Sequence, residues 1–211
     1  MIAADRHPEP PDAFDTWELP LVEVEPPWYR CHRAARDPIF FNAGRLGRFN
    51  APNAEYGILY LGTDPFCAFI ETFGQAMRRD ARGFSLISES DLAERCLCRI
   101  DAKPRHGPFR LVDLTGAGLA RIGADSRLNT TTTDRGLPQR WALALWHHPQ
   151  TPDGLLYRVR HDPARFGVAL FDRIGEVLVA DERANILARP DALSPILRHY
   201  GFALNPSSIS G

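Results

Sequence analysis

Residues 56–73, YGILYLGTDPFCAFIETF, decide the architecture of this chain. YGILYLG (56–62) is a nearly continuous apolar run, the pattern of a strand covered on both faces. Asp64 and Pro65 then mark a helix start, because Asp is a good N-cap and Pro fits the first helical position. Phe66, Phe69, Ile70, Phe73 and Met77 follow at helical spacing and form an apolar stripe, with Gly83 just beyond the predicted end. Upstream, WYRCHR (28–33) alternates large and polar residues as a strand does, and residues 34–55 are loop-like, with Gly44, Gly47, Pro52 and several Asn. Downstream, RCLCRI (95–100), FRLVDL (109–114), GLLYRV (154–159), GVALFDR (167–173) and EVLVAD (176–181) read as strands. Helices are predicted at 115–122, at PQRWALALWHH (138–148) and at PDALSPILRHYG, stopped by Gly201; residues 123–137 read as loop. Strands and helices mix without strict alternation, so the expected class is α+β, a compact mixed or antiparallel sheet with flanking helices.

Residues 26–211 show no repeat and no linker composition and are read as a single domain. Residues 1–25 carry seven acidic residues against Arg6, together with Pro8, Pro10, Pro11 and Pro20, and are read as an acidic, Pro-rich N-terminal arm. Such an arm is either a solvated tail or a clamp over a neighbouring subunit or over its own site.

With 211 residues, 44 % of them apolar and 24 % charged, the chain has material for a substantial core. No apolar run approaches the roughly 20 residues of a spanning helix. A net charge of -1 gives no electrostatic case for nucleic acid or an acidic membrane surface. Of 25 basic residues only Lys103 is Lys; codon usage explains this, and so would a demand for bidentate phosphate contacts. Four Cys are too few for a disulfide scaffold, and MIAADRHPEPPDAFDTWELP is not a secretory signal, so a cytoplasmic protein with reduced thiols is expected. Cys96 and Cys98 would share one face of a strand, while the adjacent His147 and His148 would diverge by about 100° on a helix. No motif with metal-ligand spacing occurs, and no metal is expected. Phosphate-binding Gly-rich fingerprints and the G-x-S-x-G nucleophile turn are also missing from the sequence.

One ordered constellation is left: Arg30 on the first strand, Arg48 in a Gly-containing loop, Tyr60 ending a strand, and Glu71 on the helix that follows. Between Trp28 and Asn50 five Arg (30, 33, 36, 45, 48) face one acid, Asp37. Glu71 flanks the apolar stripe. Spacing alone fits a carboxylate at the edge of a buried face and equally a solvated one. Arg30 is likewise compatible with a surface charge, and Tyr60 with a core aromatic.

The runs WYRCHR, GRFNAP, GILYLGTDPFCAFIETFG, PQRWALALWHHP, DGLLYRVRHDP and VALFDR together resemble the RES-domain family over roughly Trp28 to Arg173. The resemblance implies a fold similar to ADP-ribosyltransferases. It also implies a toxin that consumes NAD⁺ by breaking the nicotinamide–ribose bond, through hydrolysis or phosphorolysis. NAD⁺ is then the substrate, with no prosthetic group, and the implied partner is an Xre-type antitoxin around a dimeric toxin core. Carried over by motif, Glu71, Arg30 and Tyr60 take catalytic positions, and Arg30, Arg48, Tyr60 and Glu71 contact the dinucleotide. The family's third name-giving residue, Ser, is sought ahead of the PQRWA helix, where this chain has Gly136 with Thr131, Thr132 and Thr133 nearby. Transfer of ADP-ribose to a macromolecule and nucleotide binding without turnover are the alternative readings.

Overall fold

The computed structural model describes residues 9–104, 106–131 and 136–205. Within them the strands are β1 (Leu21–Val24), β2 (Trp28–Arg33), β3 (Ile58–Gly62), β4 (Ser85–Ser88), β5 (Arg95–Ala102), β6 (Phe109–Leu114), β7 (Gly154–Arg158), β8 (Phe166–Phe171), β9 (Leu178–Asn185) and β10 (Phe202–Asn205). The helices are α1 (Pro65–Phe73), α2 (Glu89–Ala93), α3 (Gly116–Arg121), α4 (Arg127–Thr130), α5 (Gly136–His147) and α6 (Pro190–Tyr200). The class is α+β. No helix among the described residues is long and apolar enough to cross a membrane. The chain forms two compact units: one takes residues up to Glu25, Phe41–Tyr60 and Lys103–Val177, the other Pro26–Phe40, Leu61–Ala102 and residues from Leu178 on.

The first unit holds a mixed sheet in the order β1–β6–β7–β8. β1 runs antiparallel to β6, with Leu21 opposite Val112. β6 and β7 are parallel, from Leu111 opposite Gly154 to Leu114 opposite Tyr157, and β7 and β8 are antiparallel. A parallel pair needs a long return connection, which here carries α3, α4 and α5. The core gathers Phe49, Tyr56, Leu114, Trp141, Tyr157 and Phe171. Phe14 and Leu19, from the segment read as an arm, are 4 % and 3 % exposed. Phe14 meets Trp141 edge-on with ring centroids 5.3 Å apart. Burial of such side chains stabilises by roughly 1.5–3 kcal/mol each, so residues 9–25 are core-bearing and not a solvated tail. Glu9 pairs with Arg140 through two hydrogen bonds of 2.7 and 2.5 Å. Residues 1–8 of the predicted arm lie outside the described residues. His147 and His148 diverge as helical geometry requires: His148 is buried against Phe14, and His147 is exposed.

In the second unit β2 pairs antiparallel with β5, from Trp28 opposite Ile100 to Arg33 opposite Arg95, and Tyr29 lies opposite Gly62 at the end of β3. β5 pairs with β9 across a register irregularity between Leu97 and Arg99. α1 packs on β2 through its apolar stripe, with Phe69, Ile70 and Phe73 buried. Asp64 caps α1 by accepting from the Cys67 N–H at 2.9 Å. The helix ends at Phe73, earlier than the stripe to Met77 suggested, because Gly74 is a poor helix continuer and a 3-10 turn takes over from Gly74 to Ala76. α6 ends as predicted, with Gly201 left-handed at φ 67°. β4 and β10 form a separate two-stranded parallel pair. All four Cys are free and buried.

Candidate active site

In the first unit the segment Asn42–Asn50 is a loop held from several sides, and it carries Arg48. The Tyr60 hydroxyl accepts from the Phe49 N–H at 2.8 Å and donates to Asn50 Oδ1 at 3.0 Å. The Tyr56 hydroxyl donates to the Phe49 carbonyl at 2.8 Å. The fully buried Asn50 side chain donates to the Asn42 carbonyl at 2.9 Å and also to the Gly44 carbonyl. From α5, Gln139 Nε2 donates to the Arg45 and Gly47 carbonyls at 2.8 and 3.0 Å. The residues on both sides of Arg48 are therefore bonded to the framework, and its backbone cannot drift. Gly47 is required for this packing: a Cβ there would stand 1.9 Å from Asn50 Oδ1 and 2.8 Å from the Tyr60 hydroxyl. Arg48 and Tyr60 are both half-buried.

Tyr60, read from sequence as an aromatic face, thus has a second use: its hydroxyl braces the loop that presents Arg48. Past the end of β7, His161 lies within electrostatic range of Arg48. Burial first, then Arg160 and Arg48, hold its imidazole below the ordinary value and favour the neutral ring. Its Nε2 is buried with no hydrogen-bond partner among the described residues. The sequence motif VRHD contained His161, but nothing in its spacing marked it.

In the second unit Arg30 stands on β2 opposite Cys98. Its Nη1 donates to the Pro38 carbonyl at 2.6 Å and, more weakly, to that of Phe40 at 3.4 Å. Burial lowers the guanidinium to about 10, partly offset by Asp37, so it is still a cation at neutral pH. Glu71 is half-buried on α1. The next residue locks the helix in place: the Thr72 hydroxyl is shared between the Cys31 carbonyl (3.1 Å) and the Ala68 carbonyl (2.9 Å). Cys31 is the neighbour of Arg30, so one bond fixes the helix turn bearing Glu71 against the strand bearing Arg30. Gly62 permits the close approach of β3 and α1, since a Cβ there would meet the Ala68 nitrogen at 2.6 Å.

Arg48 and Tyr60 are therefore brought together in the first unit, and Arg30 and Glu71 sit on packed elements of the second. Asn50, Gln139 and Thr72, which hold these residues, were not singled out by the sequence reading. Among the described residues no group of three or more His, Cys, Asp and Glu side chains is placed to hold a metal ion.

The model of the RES domain matches residues 27–191, a span that contains all four residues. No curated protein matches the chain. Among solved structures, a chain of the crystal structure of the M. tuberculosis MbcT–MbcA toxin–antitoxin complex is similar in fold, with a TM-score of 0.59 and 19 % sequence identity. The alignment covers 78 % of this chain and 86 % of that one. The family match spans well over half of the sequence, and the chain belongs to the RES domain family.

Proposed function

We propose that this protein is a toxin that destroys NAD⁺ by breaking the nicotinamide–ribose bond, and that an Xre-type antitoxin protein neutralises it. The observation that carries the reading is the rigid presentation of Arg48 in a chain of this family. A loop Arg flanked by residues bonded to buried framework groups is set up to receive an anion at a fixed place. The pyrophosphate of NAD⁺ supplies such an anion, and guanidinium forks match its oxygens. Arg30, a cation despite burial, is the second phosphate candidate.

The chemistry asks little more. As the ribose C1′–N bond breaks, its electron pair leaves with nicotinamide, which departs neutral, and positive charge develops on the ribose. The Glu71 carboxylate stabilises that charge and orients the nucleophile, either water, giving ADP-ribose and releasing one proton to solvent, or inorganic phosphate, giving ADP-ribose 1″-phosphate. Tyr60 presents its ring to the nicotinamide ribose. NAD⁺ is substrate, and no prosthetic group or metal takes part. The reaction draws on the cytoplasmic NAD⁺ pool.

The test is purified protein with NAD⁺, in buffers with and without phosphate, followed by product identification. Free nicotinamide with one of the two sugar products is expected. Transfer of labelled ADP-ribose to a macromolecule with no free product, or binding with no turnover, would overturn the proposal.

A further inference from the structure

Within the first unit α5 is gripped on two opposite faces. Helix positions seven apart point within about 20° of each other, and positions two apart diverge by about 160°. Gln139 and Trp146 therefore share one face, while Trp141 shares the opposite face with His148, just beyond the helix end. The Gln139 face meets the loop that carries Arg48. Gln139 donates to the Arg45 and Gly47 carbonyls at 2.8 and 3.0 Å. Trp146 stacks on Tyr56 with centroids 5.4 Å apart, and the Tyr56 hydroxyl donates to the Phe49 carbonyl. The Trp141 face meets residues 9–20. The Phe14 ring stands edge-on to Trp141 at 5.3 Å and to His148 at 5.6 Å. Glu9 pairs with Arg140, and the Leu19 N–H donates to Gln150 Oε1 at 2.7 Å.

A helix packed on both faces passes a displacement on one face to the other, because close-packed side chains have few alternative arrangements. Phe14 is the anchor on the first face: it is 4 % exposed against a Trp141 that is 1 % exposed. The Glu9–Arg140 pair beside it is about half exposed, and such pairs hold weakly. We propose that residues 9–20 form a strap that positions Arg48 through α5, with Phe14 as the positioning residue. With the strap seated, Gln139 and Tyr56 hold the loop 42–50 still; with the strap lifted, that loop loosens and its grip on an anionic ligand falls. The acidic, Pro-rich segment is then a control element for binding, and bond breaking is untouched. The identity of the ligand rests on the proposed NAD⁺ reaction; the coupling between strap and loop does not.

The test compares the full wild-type chain with Phe14→Ala, with Phe14→Leu, which keeps an apolar side chain against Trp141, and with Leu111→Ala as control. Leu111 is fully buried in β6 of the same unit, outside the side-chain cluster that joins Phe14, Phe49, Tyr56 and Trp141. Hydrogen exchange reads the Phe49 and Asn50 amides, which donate to the Tyr60 hydroxyl and the Gly47 carbonyl. Exchange there is expected to be about tenfold or more faster in Phe14→Ala than in Leu111→Ala, with Phe14→Leu between Phe14→Ala and wild type. In NAD⁺ cleavage KM should rise several-fold in Phe14→Ala at constant kcat, and Phe14→Leu should restore most of the loss. Exchange no faster than in the control overturns the proposal, and so does a fall in kcat at constant KM. If Phe14→Ala does not fold, Phe14→Leu against the control decides by the same comparison. A wild type that cleaves no NAD⁺ but shows the exchange coupling defeats the enzymatic reading and leaves the strap standing.

Discussion

Replacing Tyr60 by Phe keeps the ring and removes one oxygen, and the structure says what that oxygen does. It accepts the Phe49 N–H at 2.8 Å and donates to Asn50 Oδ1 at 3.0 Å, and both partners are at most 1 % exposed. Two neutral hydrogen bonds contribute about 0.5–1.5 kcal/mol each, and stranding their buried partners raises the cost, so Tyr60→Phe should destabilise by about 2–3 kcal/mol. For a chain of this size that is a fall in Tm of roughly 4–12 °C. The loosened segment bears Arg48, so KM for NAD⁺ should rise several-fold while kcat holds, because the hydroxyl supports binding and takes no part in bond breaking. Thermal melts and steady-state kinetics of the two proteins read both effects. An unchanged Tm with an unchanged KM would refute the bracing role and leave Tyr60 only its ring. An unchanged Tm with a large loss of kcat would make the hydroxyl itself catalytic.

Glu71→Gln preserves shape and should keep the fold and most NAD⁺ affinity while turnover falls about 10²–10³-fold, as for loss of a preorganised group that stabilises transition-state charge; equal turnover in both proteins sinks the mechanism. Arg48→Ala should weaken NAD⁺ binding by about 1.5–3 kcal/mol with little change in melting, as measured by titration calorimetry. Burial pushes the Cys31 thiol up to about 12 and Cys98 to about 11, so alkylation of the native protein near pH 8 should be slow and should accelerate on unfolding; fast native labelling would contradict their burial. His32 is buried and its imidazole is lowered from the ordinary 6.5, by burial first and then by Arg30 and Arg183. The unfolded chain therefore binds more protons below that value, and the His32 contribution to stability is present above about pH 6.5 and is lost as pH falls. Denaturant titrations between pH 5 and 8 should show a shallower slope for His32→Gln, and parallel slopes would count against it.

The elements legible in the sequence are those whose own pattern matches their burial. β2, β3, β6 and β8 carry apolar runs or clean alternation, and α1 announces itself with Asp64 and Pro65. β4 and β10 are four residues each and leave Leu86 and Leu204 exposed, so no pattern exceeded the background. β9 extends past the predicted end at Asp181 to Asn185 because β5 pairs with it again, Leu97 opposite Ala184 and Cys96 opposite Asn185, although Glu182 and Arg183 between them face solvent. α4 is a single turn inside a polar stretch. At the candidate site, Arg30, Arg48, Tyr60 and Glu71 are marked by their order along the chain together with the resemblance of the runs around them to the RES-domain family; taken singly, each fits a surface or core role. What holds them carries no such mark. Gln139 reaches carbonyls 94 and 92 positions earlier in the chain, and Thr72 reaches one 41 positions earlier, so neither bond leaves a local mark.

The two units are braided along the chain, which passes from one to the other after Glu25, Phe40, Tyr60, Ala102 and Val177. This sets a temporal order during synthesis. The ribosome releases Arg30, Arg48, Tyr60 and Glu71 early, yet the unit bearing Arg48 and Tyr60 lacks its own β8 until residue 171 has emerged. The unit bearing Arg30 and Glu71 lacks the partner strand of β5 until β9 is made. A nascent or prematurely terminated chain of this design is therefore unassembled for most of its translation, and only a chain made through β9 holds Arg30, Arg48, Tyr60 and Glu71 in place.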